Sequence, residues 1–235
     1  MTTTLITGSN KGLGYETARQ LIAAGHTVYI GARDPERGRT AAERLGARFI
    51  WLDVTDDASV VAAAKTIEAD GGLDVLVNNA GIEGRTADNG VIGAADETAG
   101  HMQALFDTNV FGVVRMLHAF VPLLARSAAP VVVNLSSGLS KTADLTDPAG
   151  PVHFYPGVAY PASKTAVNMV TEQYAKAFPG IKINAVDPGY TATDLNGGTG
   201  TQTVQQGAQI IVKMALAGPD GPTGGYFDAN GLVAW

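Results

Sequence analysis

Short runs of β-branched and aliphatic residues alternate along this chain with longer stretches whose apolar positions recur every three to four residues. "TLITG" leads into a helical pattern from about Gly12 to Ala24, followed by "TVYIGA", "ERGRTAAERL", "RFIWLDV" and "ASVVAAAKTIEA". The alternation continues with "LDVLVNNAG", a helical stretch through "FGVVRMLHAFVPLLARS", and "PVVVNLSS". After an irregular segment come the helix "YPASKTAVNMVTEQYAKAF", the strand "IKINAVDPG", the helix "VQQGAQIIVKMAL" and a last short strand near "GGYFD". Strands that are apolar on both faces are buried on both, as in a parallel sheet covered by helices. The pattern therefore predicts an α/β fold: a single-domain, doubly wound (Rossmann-type) parallel sheet, which binds ligands beyond the carboxyl ends of its strands. No low-complexity linker and no repeat of fixed period divides residues 1–235, so one domain is expected. Two irregular stretches, 138–158 and 189–202, interrupt the pattern. Loops of that length serve as lids or binding loops, or are surface excursions.

Composition narrows the chemistry. With 46% hydrophobic and 16% charged residues, the chain has material for a core and is not a disordered tail. A net charge of -6 leaves no basic footprint, so no nucleic-acid partner is expected. The absence of cysteine excludes disulfides, thiol nucleophiles and thiolate metal sites. His26, His101, His118 and His153 have no ligand-like spacing, and no metal is expected. "MTTTLITGSN" has neither a basic n-region nor a long apolar h-region, and no apolar run approaches the ~20 residues of a membrane helix. The expectation is a cytoplasmic protein with no membrane partner.

Two local patterns carry candidate chemistry. "LITGSNKGLG" puts Gly8, Gly12 and Gly14 between the first strand and the first helix, where backbone approaches a pyrophosphate favoured by the helix N-terminus. Its spacing is G-x-x-x-G-x-G, not the Rossmann G-x-G-x-x-G. "VAYPASKTAV" sets Tyr160 and Lys164 about one helical turn apart, on one face. Pro161 between them fits the first helical position, which would leave Tyr160 at the N-cap edge. A tyrosine alone titrates far above neutrality, but a cationic lysine one turn away stabilises the tyrosinate and lowers its pKa. Such a pair can move a proton to or from a substrate oxygen.

"TGSNKGLG", "NNAG" at 78–81, N-x-S-S at 134–137, Y-x-x-x-K at 160–164 and "DPG" at 187–189 occur in that order over nearly the whole chain. Together they resemble the short-chain dehydrogenase/reductase family, and "NKG" and "ARDPERG" look most like its carbonyl-reductase branch. The resemblance implies a nicotinamide cofactor held by Gly8, Asn10, Lys11, Gly12, Leu13 and Gly14. Asp53, Val54, Asn79, Ala80, Gly81, Tyr160, Lys164, Pro188, Gly189 and Thr191 would complete that site. Asp53 could equally begin or cap the following helix, and Asn78 could join two strands. An NAD site usually has an acid at the end of the second strand, and here Ala32 and Arg33 stand there. Arg33, Arg37 and Lys11 would pair with a 2′-phosphate, so NADPH is expected over NADH. Asp34 is a counter-signal.

The resemblance also implies roles. Tyr160 would be the proton donor, Ser137 would bond the substrate oxygen, Lys164 would bond the nicotinamide ribose, and Asn109 would hold a water in the proton path. Ser136 competes with Ser137 for its role. Neither is a nucleophile, since no G-x-S-x-G elbow surrounds them. Asn109 could instead mend an irregular helix turn. Ser137 and Tyr160 stand 23 positions apart, more than the family usually places there. The surplus, 141–156, carries Pro148, Pro151, Pro156 and Gly150, a composition that resists regular structure. Leu139, Phe154, Tyr155, Tyr190 and Leu195 would either line an apolar cleft suited to a hydrophobic ketone or aldehyde, or pin the loops. Relatives commonly associate through two long central helices, so a homo-oligomer is one expectation, which an insertion beside that face opposes. The reaction expected is hydride transfer between NADPH and a small-molecule carbonyl. Alcohol oxidation by the same residues is the alternative, and the complete Ser, Tyr, Lys and Asn set argues against a non-catalytic sensor.

Overall fold

Leu5 and Ile6 are neighbours in the first strand, yet they enter separate cores on opposite faces of the sheet. The computed structural model describes residues 2–150 and 152–235; Pro151 lies outside them. Its sheet has the order β3-β2-β1-β4-β5-β6-β7-β8. The strands are β1 Thr3–Thr7, β2 Thr27–Ala32, β3 Arg48–Trp51, β4 Val75–Asn78, β5 Val131–Leu135, β6 Lys182–Val186, β7 Tyr226–Asp228 and β8 Gly231–Val233. All neighbours are parallel except β7 and β8, a closing hairpin that the sequence pattern did not predict.

Helices α1 Gly12–Ala23, α2 Pro35–Leu45 and α8 Val204–Ala215 accompany one face. Helices α3 Asp57–Ala69, α5 Gly112–Leu124 and α7 Ala159–Ala177 cover the other, where Met116, Leu117, Phe120 and Val167 are buried. The order reverses beside β1, which pairs with both β2 and β4. At that switch point a crevice opens beyond the strand ends.

Helix α4 Ala99–Phe106 runs through a π-helical turn, Asp107–Phe111, into α5. The span 99–124 is long enough, with a mean hydropathy of 1.2, to cross a membrane by length and composition alone. Half of it is buried in this fold, and Gln103, Asp107, Asn109 and Arg115 interrupt its apolar run.

Capping separates the site-facing helices from the rest. Asp34 caps α2, Asp56 caps α3, Thr98 caps α4 and Thr203 caps α8, each accepting backbone N–H bonds. Lys11 before α1 and Val158 before α7 provide no such side-chain bond. Asp53 therefore does not cap α3; its Oδ1 accepts from the Thr55 N–H and hydroxyl. Pro161 is the third residue of α7, not the first. The position is tolerated because first-turn N–H groups have no intrahelical partner. Residues 138–158 are also more regular than their proline content suggests. A 3₁₀ turn, Gly138–Ser140, and a short helix, α6 Thr142–Thr146, occupy the first half, since Pro148, Gly150 and Pro156 all follow it.

Candidate active site

The glycine turn is built to let backbone approach closely. Gly8 and Gly12 have φ of 62° and 58°, which disfavours any other residue. A Cβ on Gly14 would stand 2.5 Å from Asn79 Nδ2 and 2.8 Å from Ser9 Cα. Asn79 donates that Nδ2 to the carbonyls of Thr7 and Gly8 at 2.8 and 3.2 Å, which ties the turn to the end of β4. The Thr7 hydroxyl accepts from the Asn79 and Ala80 N–H groups at 3.0 and 2.9 Å. With Lys11 providing no cap, the first N–H groups of α1 are left for another acceptor.

At the ends of β4 and β5 the four predicted catalytic residues converge. Lys164, 5% exposed, donates from Nζ to the Leu135 carbonyl at 2.9 Å and lies 5.6 Å from the Tyr160 ring centroid. A Cβ on Gly81 would be 3.4 Å from Asn109 Oδ1 and 3.6 Å from Lys164 Nζ. Glycine thus keeps open the floor between those two side chains. The Asn109 amide accepts from the Ile82 N–H and donates to its carbonyl, both at 2.8 Å, and donates to Ser163 Oγ at 3.0 Å. Asn109 sits in the π turn, but its side chain reaches across to Ile82 and Ser163 and does not mend the turn. The two serines separate. Ser136 Oγ, buried, lies 3.4 Å from the Lys164 carbonyl, whereas the Ser137 hydroxyl bonds Tyr160.

Electrostatics here reverse one expectation. Burial foremost, then the charge of Glu83, push the Tyr160 hydroxyl above its ordinary range; Ser137 pulls it down and Asp187 adds a smaller upward push. Lys164, its ammonium bonded to the Leu135 carbonyl, does not outweigh this push. Burial brings Lys164 itself down to about 8.

Beside the α1 N-terminus, a polar cleft of about 380 Å³ is lined by Asn10, Lys11, Tyr15, Glu36, Arg37, Thr40, Ala41 and Arg44. Lys11 and Arg37 meet there as expected, Arg44 joins them, and Arg33 is not part of the lining. Asp34 is engaged at the start of α2, bonding the N–H groups of Glu36 and Arg37 and pairing with the Arg37 guanidinium at 3.4 Å. Lys11 reaches Asp194 of the 189–202 loop at 2.7 Å. Uncapped α1, the glycine turn and the open floor at Gly81 fit a dinucleotide lying across the switch point.

The short chain dehydrogenase family model matches residues 2–203. This chain belongs to that family. It is an enzyme of an oxidoreductase family that acts on carbonyls and alcohols with nicotinamide cofactors. The chain is 32% identical to (-)-isopiperitenone reductase of Mentha piperita, covering 98% of this chain and 97% of that protein. That alignment runs to 307 positions against 235 residues here, so the mint enzyme carries insertions this dehydrogenase lacks. The structure resembles salutaridine reductase from Papaver somniferum, with TM-score 0.84 and 28% identity over 97% of this chain and 100% of that one. It is equally similar to NADPH-bound carbonyl reductase from chicken fatty liver, with TM-score 0.84 and 28% identity over 99% and 98% of the two chains.

The loop residues expected to line an apolar cleft in this short-chain dehydrogenase take different places. Phe154 is 83% exposed and packs edge-on against His153. Tyr190 is also exposed, its hydroxyl meeting Thr199. Leu139 belongs to the 3₁₀ turn, its N–H donating to Ser137 Oγ, and Leu195 contributes its carbonyl to Arg85. Tyr155 alone of the predicted loop residues shares a small cavity with Tyr160, together with Glu83, Glu97 and His101. That cavity is too narrow for a water molecule.

Pro188 and Thr191 are bridged by Gln202, whose amide donates to the Pro188 carbonyl and to Thr191 Oγ1; a Cβ on Gly189 would strike the same amide. Val54 packs against Gly112 of α5. Sequence reasoning missed Glu83, Gln202, Asp187 and Tyr226. The last is fully buried and donates to the Ser137 carbonyl at 2.7 Å. Among the described residues, no three His, Asp or Glu side chains converge as a metal site.

Proposed function

We propose that this enzyme is an NADPH-dependent carbonyl reductase in which Tyr160 is the proton donor. The observation that carries the reading is the convergence of Ser137, Tyr160, Lys164 and Asn109 beside a glycine floor at the switch point. A reduced nicotinamide, when bound, supplies hydride to the carbonyl carbon. The chain's own residues handle the oxygen. Ser137 donates a hydrogen bond that orients and polarises the carbonyl, and Tyr160 delivers a proton as negative charge develops there. Tyr160, like any tyrosine, is protonated at neutral pH and so holds the proton that reduction requires. Lys164 places a positive charge beside the tyrosinate left behind and, with Nζ next to Gly81, would bond a ribose lying on that floor. The α1 N-terminus, Asn10 and Leu13 would hold the pyrophosphate. Asp53 and Val54 would flank the adenine, and Asn79, Ala80, Pro188, Gly189 and Thr191 the nicotinamide half.

Cofactor choice follows from charge. Lys11, Arg37 and Arg44 line the cleft beside the adenosine end, and Glu36 is the one acid among them. Ala32 ends β2, and Asp34 is committed to its helix. Arg33 is exposed directly after β2. Initial rates with NADPH and NADH across ketones and aldehydes test the reading. Ala32→Asp with Arg37→Ala should weaken NADPH by about 1.5–3 kcal/mol per lost charged contact and spare NADH. A wild type that prefers NADH overturns the cofactor assignment. Tyr160→Phe should lower turnover by at least ~10² with cofactor affinity kept.

A further inference from the structure

Glu83 lies two residues beyond Gly81, immediately after the Ile82 backbone that Asn109 grips on both sides. Its carboxylate is buried and fully engaged. Oε1 accepts from the Tyr155 hydroxyl at 2.8 Å, while Oε2 accepts from Arg85 Nε at 2.9 Å and pairs with its NH2 at 2.8 Å. Arg85 continues outward, from Nε to the Leu195 carbonyl at 3.1 Å and from NH1 to the Asn89 carbonyl at 2.8 Å. Three segments distant in sequence thus meet on one acid: its own loop through Asn89, the 138–158 loop through Tyr155, and the 189–202 loop through Leu195. A Gly93–Gly157 bridge joins two of them again. A buried carboxylate costs several kcal/mol unless paired and hydrogen-bonded, so this pairing has to persist whenever the loops are closed.

We propose that Glu83 is a positioning residue of this active site, which ties three loops into one wall over Tyr160 and sets a negative charge beside the tyrosine hydroxyl. The inference rests on Tyr160 being the proton donor. Other groups face Tyr160 from each surrounding element: Lys164 from its own helix, Ser137 after β5, Asp187 after β6, and Tyr155 from the loop. Glu97 and His101, paired at the start of α4, line the same cavity. Among these charges Glu83 raises the proton affinity of Tyr160 most, ahead of Asp187. The cavity that Glu83, Tyr155 and Tyr160 share is too narrow for water, so a bulky carbonyl reaching Tyr160 from this side would have to loosen the Glu83 contacts.

Two variants divide the contacts: one removes the charge together with the Arg85 pair, the other a single tie. Glu83→Gln keeps the size and an acceptor for Tyr155 but removes the charge, while Tyr155→Phe keeps the charge and removes one tie. In carbonyl reduction, activity falls at high pH as Lys164, brought down to about 8, and then Tyr160 lose their protons; removing a negative charge favours proton loss from both, so Glu83→Gln should move that alkaline limb to lower pH. Tyr155→Phe should leave the limb in place and change KM for bulky carbonyls more than kcat. Amide hydrogen exchange of the cofactor-free proteins should quicken about tenfold in 84–93, 142–157 and 190–200 for Glu83→Gln, the loss of about one charged hydrogen bond. Only 142–157 should quicken in Tyr155→Phe. An unchanged limb, or exchange that stays slow in the three loops, overturns the proposal. Should Glu83→Gln not fold, unchanged exchange in Tyr155→Phe does so. A wild type that reduces no carbonyl with either nicotinamide overturns the reductase reading instead, and exchange then still judges the clamp.

Discussion

Lys164→Met should make the protein more stable near neutrality while removing its activity. Lys164 Nζ is buried, with the Leu135 carbonyl as its hydrogen-bond partner. Burial takes the ammonium from an ordinary 10.5 to about 8, a difference worth about 3 kcal/mol. Below pH 8 both the folded and the unfolded chain carry the charge, and the folded state bears the whole cost. Between about 8 and 10.5 the folded protein sheds this proton while the unfolded chain keeps it, so stability rises with pH and the cost disappears. Methionine of similar length avoids the cost but forfeits the bond to Leu135, about 1 kcal/mol. The net expectation is a gain of about 2 kcal/mol at pH 7, shrinking to nothing or reversing by pH 10. Urea unfolding of both proteins from pH 7 to 10 reads the gap directly, and other titrating groups largely cancel in the difference. A gap that stays constant across this range would refute the claim that burial depresses Lys164. A stable but inactive variant would mean that the site holds its lysine at a cost to the fold.

Gly81→Ala should fold normally, since its methyl would meet Asn109 and Lys164 at ordinary contact distances, yet weaken nicotinamide binding at least tenfold by filling the floor; fluorescence titration with NADPH checks this. Tyr226→Phe removes the donor to the Ser137 carbonyl and should cost about 1 kcal/mol in urea unfolding, with a several-fold fall in kcat. Phe154→Ala should leave KM for every carbonyl unchanged within about twofold, because the ring is almost wholly exposed; a larger change would return that ring to the substrate site.

The legible parts of this protein were those written in short-range patterns. Strand and helix alternation, the glycine turn, and Tyr160 and Lys164 one turn apart each need only a few neighbouring residues to be read. What could not be read depends on residues meeting across the sheet. Tyr155 reaches Glu83 over 72 positions and Tyr226 reaches Ser137 over 89, and no spacing rule carries such contacts. Spacing shows that Lys164 shares a face with Tyr160 but not that Tyr160 is buried near Glu83, so the direction of the tyrosine shift differs from the expectation. Aromatic residues in a loop flanked by catalytic positions suggested a hydrophobic lining. Exposure is decided by how the loop folds, and Phe154 points outward while Tyr155 points in.

The amide of Asn78 donates to that of Asn134 at 2.8 Å, and Asn134 in turn donates to Thr171 Oγ1 at 2.9 Å. Asn78 ends "VLVN" and Asn134 is the penultimate residue of "VVVNL"; the two strands lie side by side with Asn78 opposite Asn134. Burial of valine against valine barely distinguishes one alignment of such strands from another shifted by two residues, since that slip returns each side chain to the same face. Polar partners that have no water to turn to do make the distinction, because a slip would strand buried amides. The amide pair therefore acts as a ratchet tooth between two nearly featureless strands. A two-residue slip there would carry Ser137 about 6–7 Å along the strand direction relative to Asn79 and Gly81, well beyond hydrogen-bond reach of anything resting on that floor.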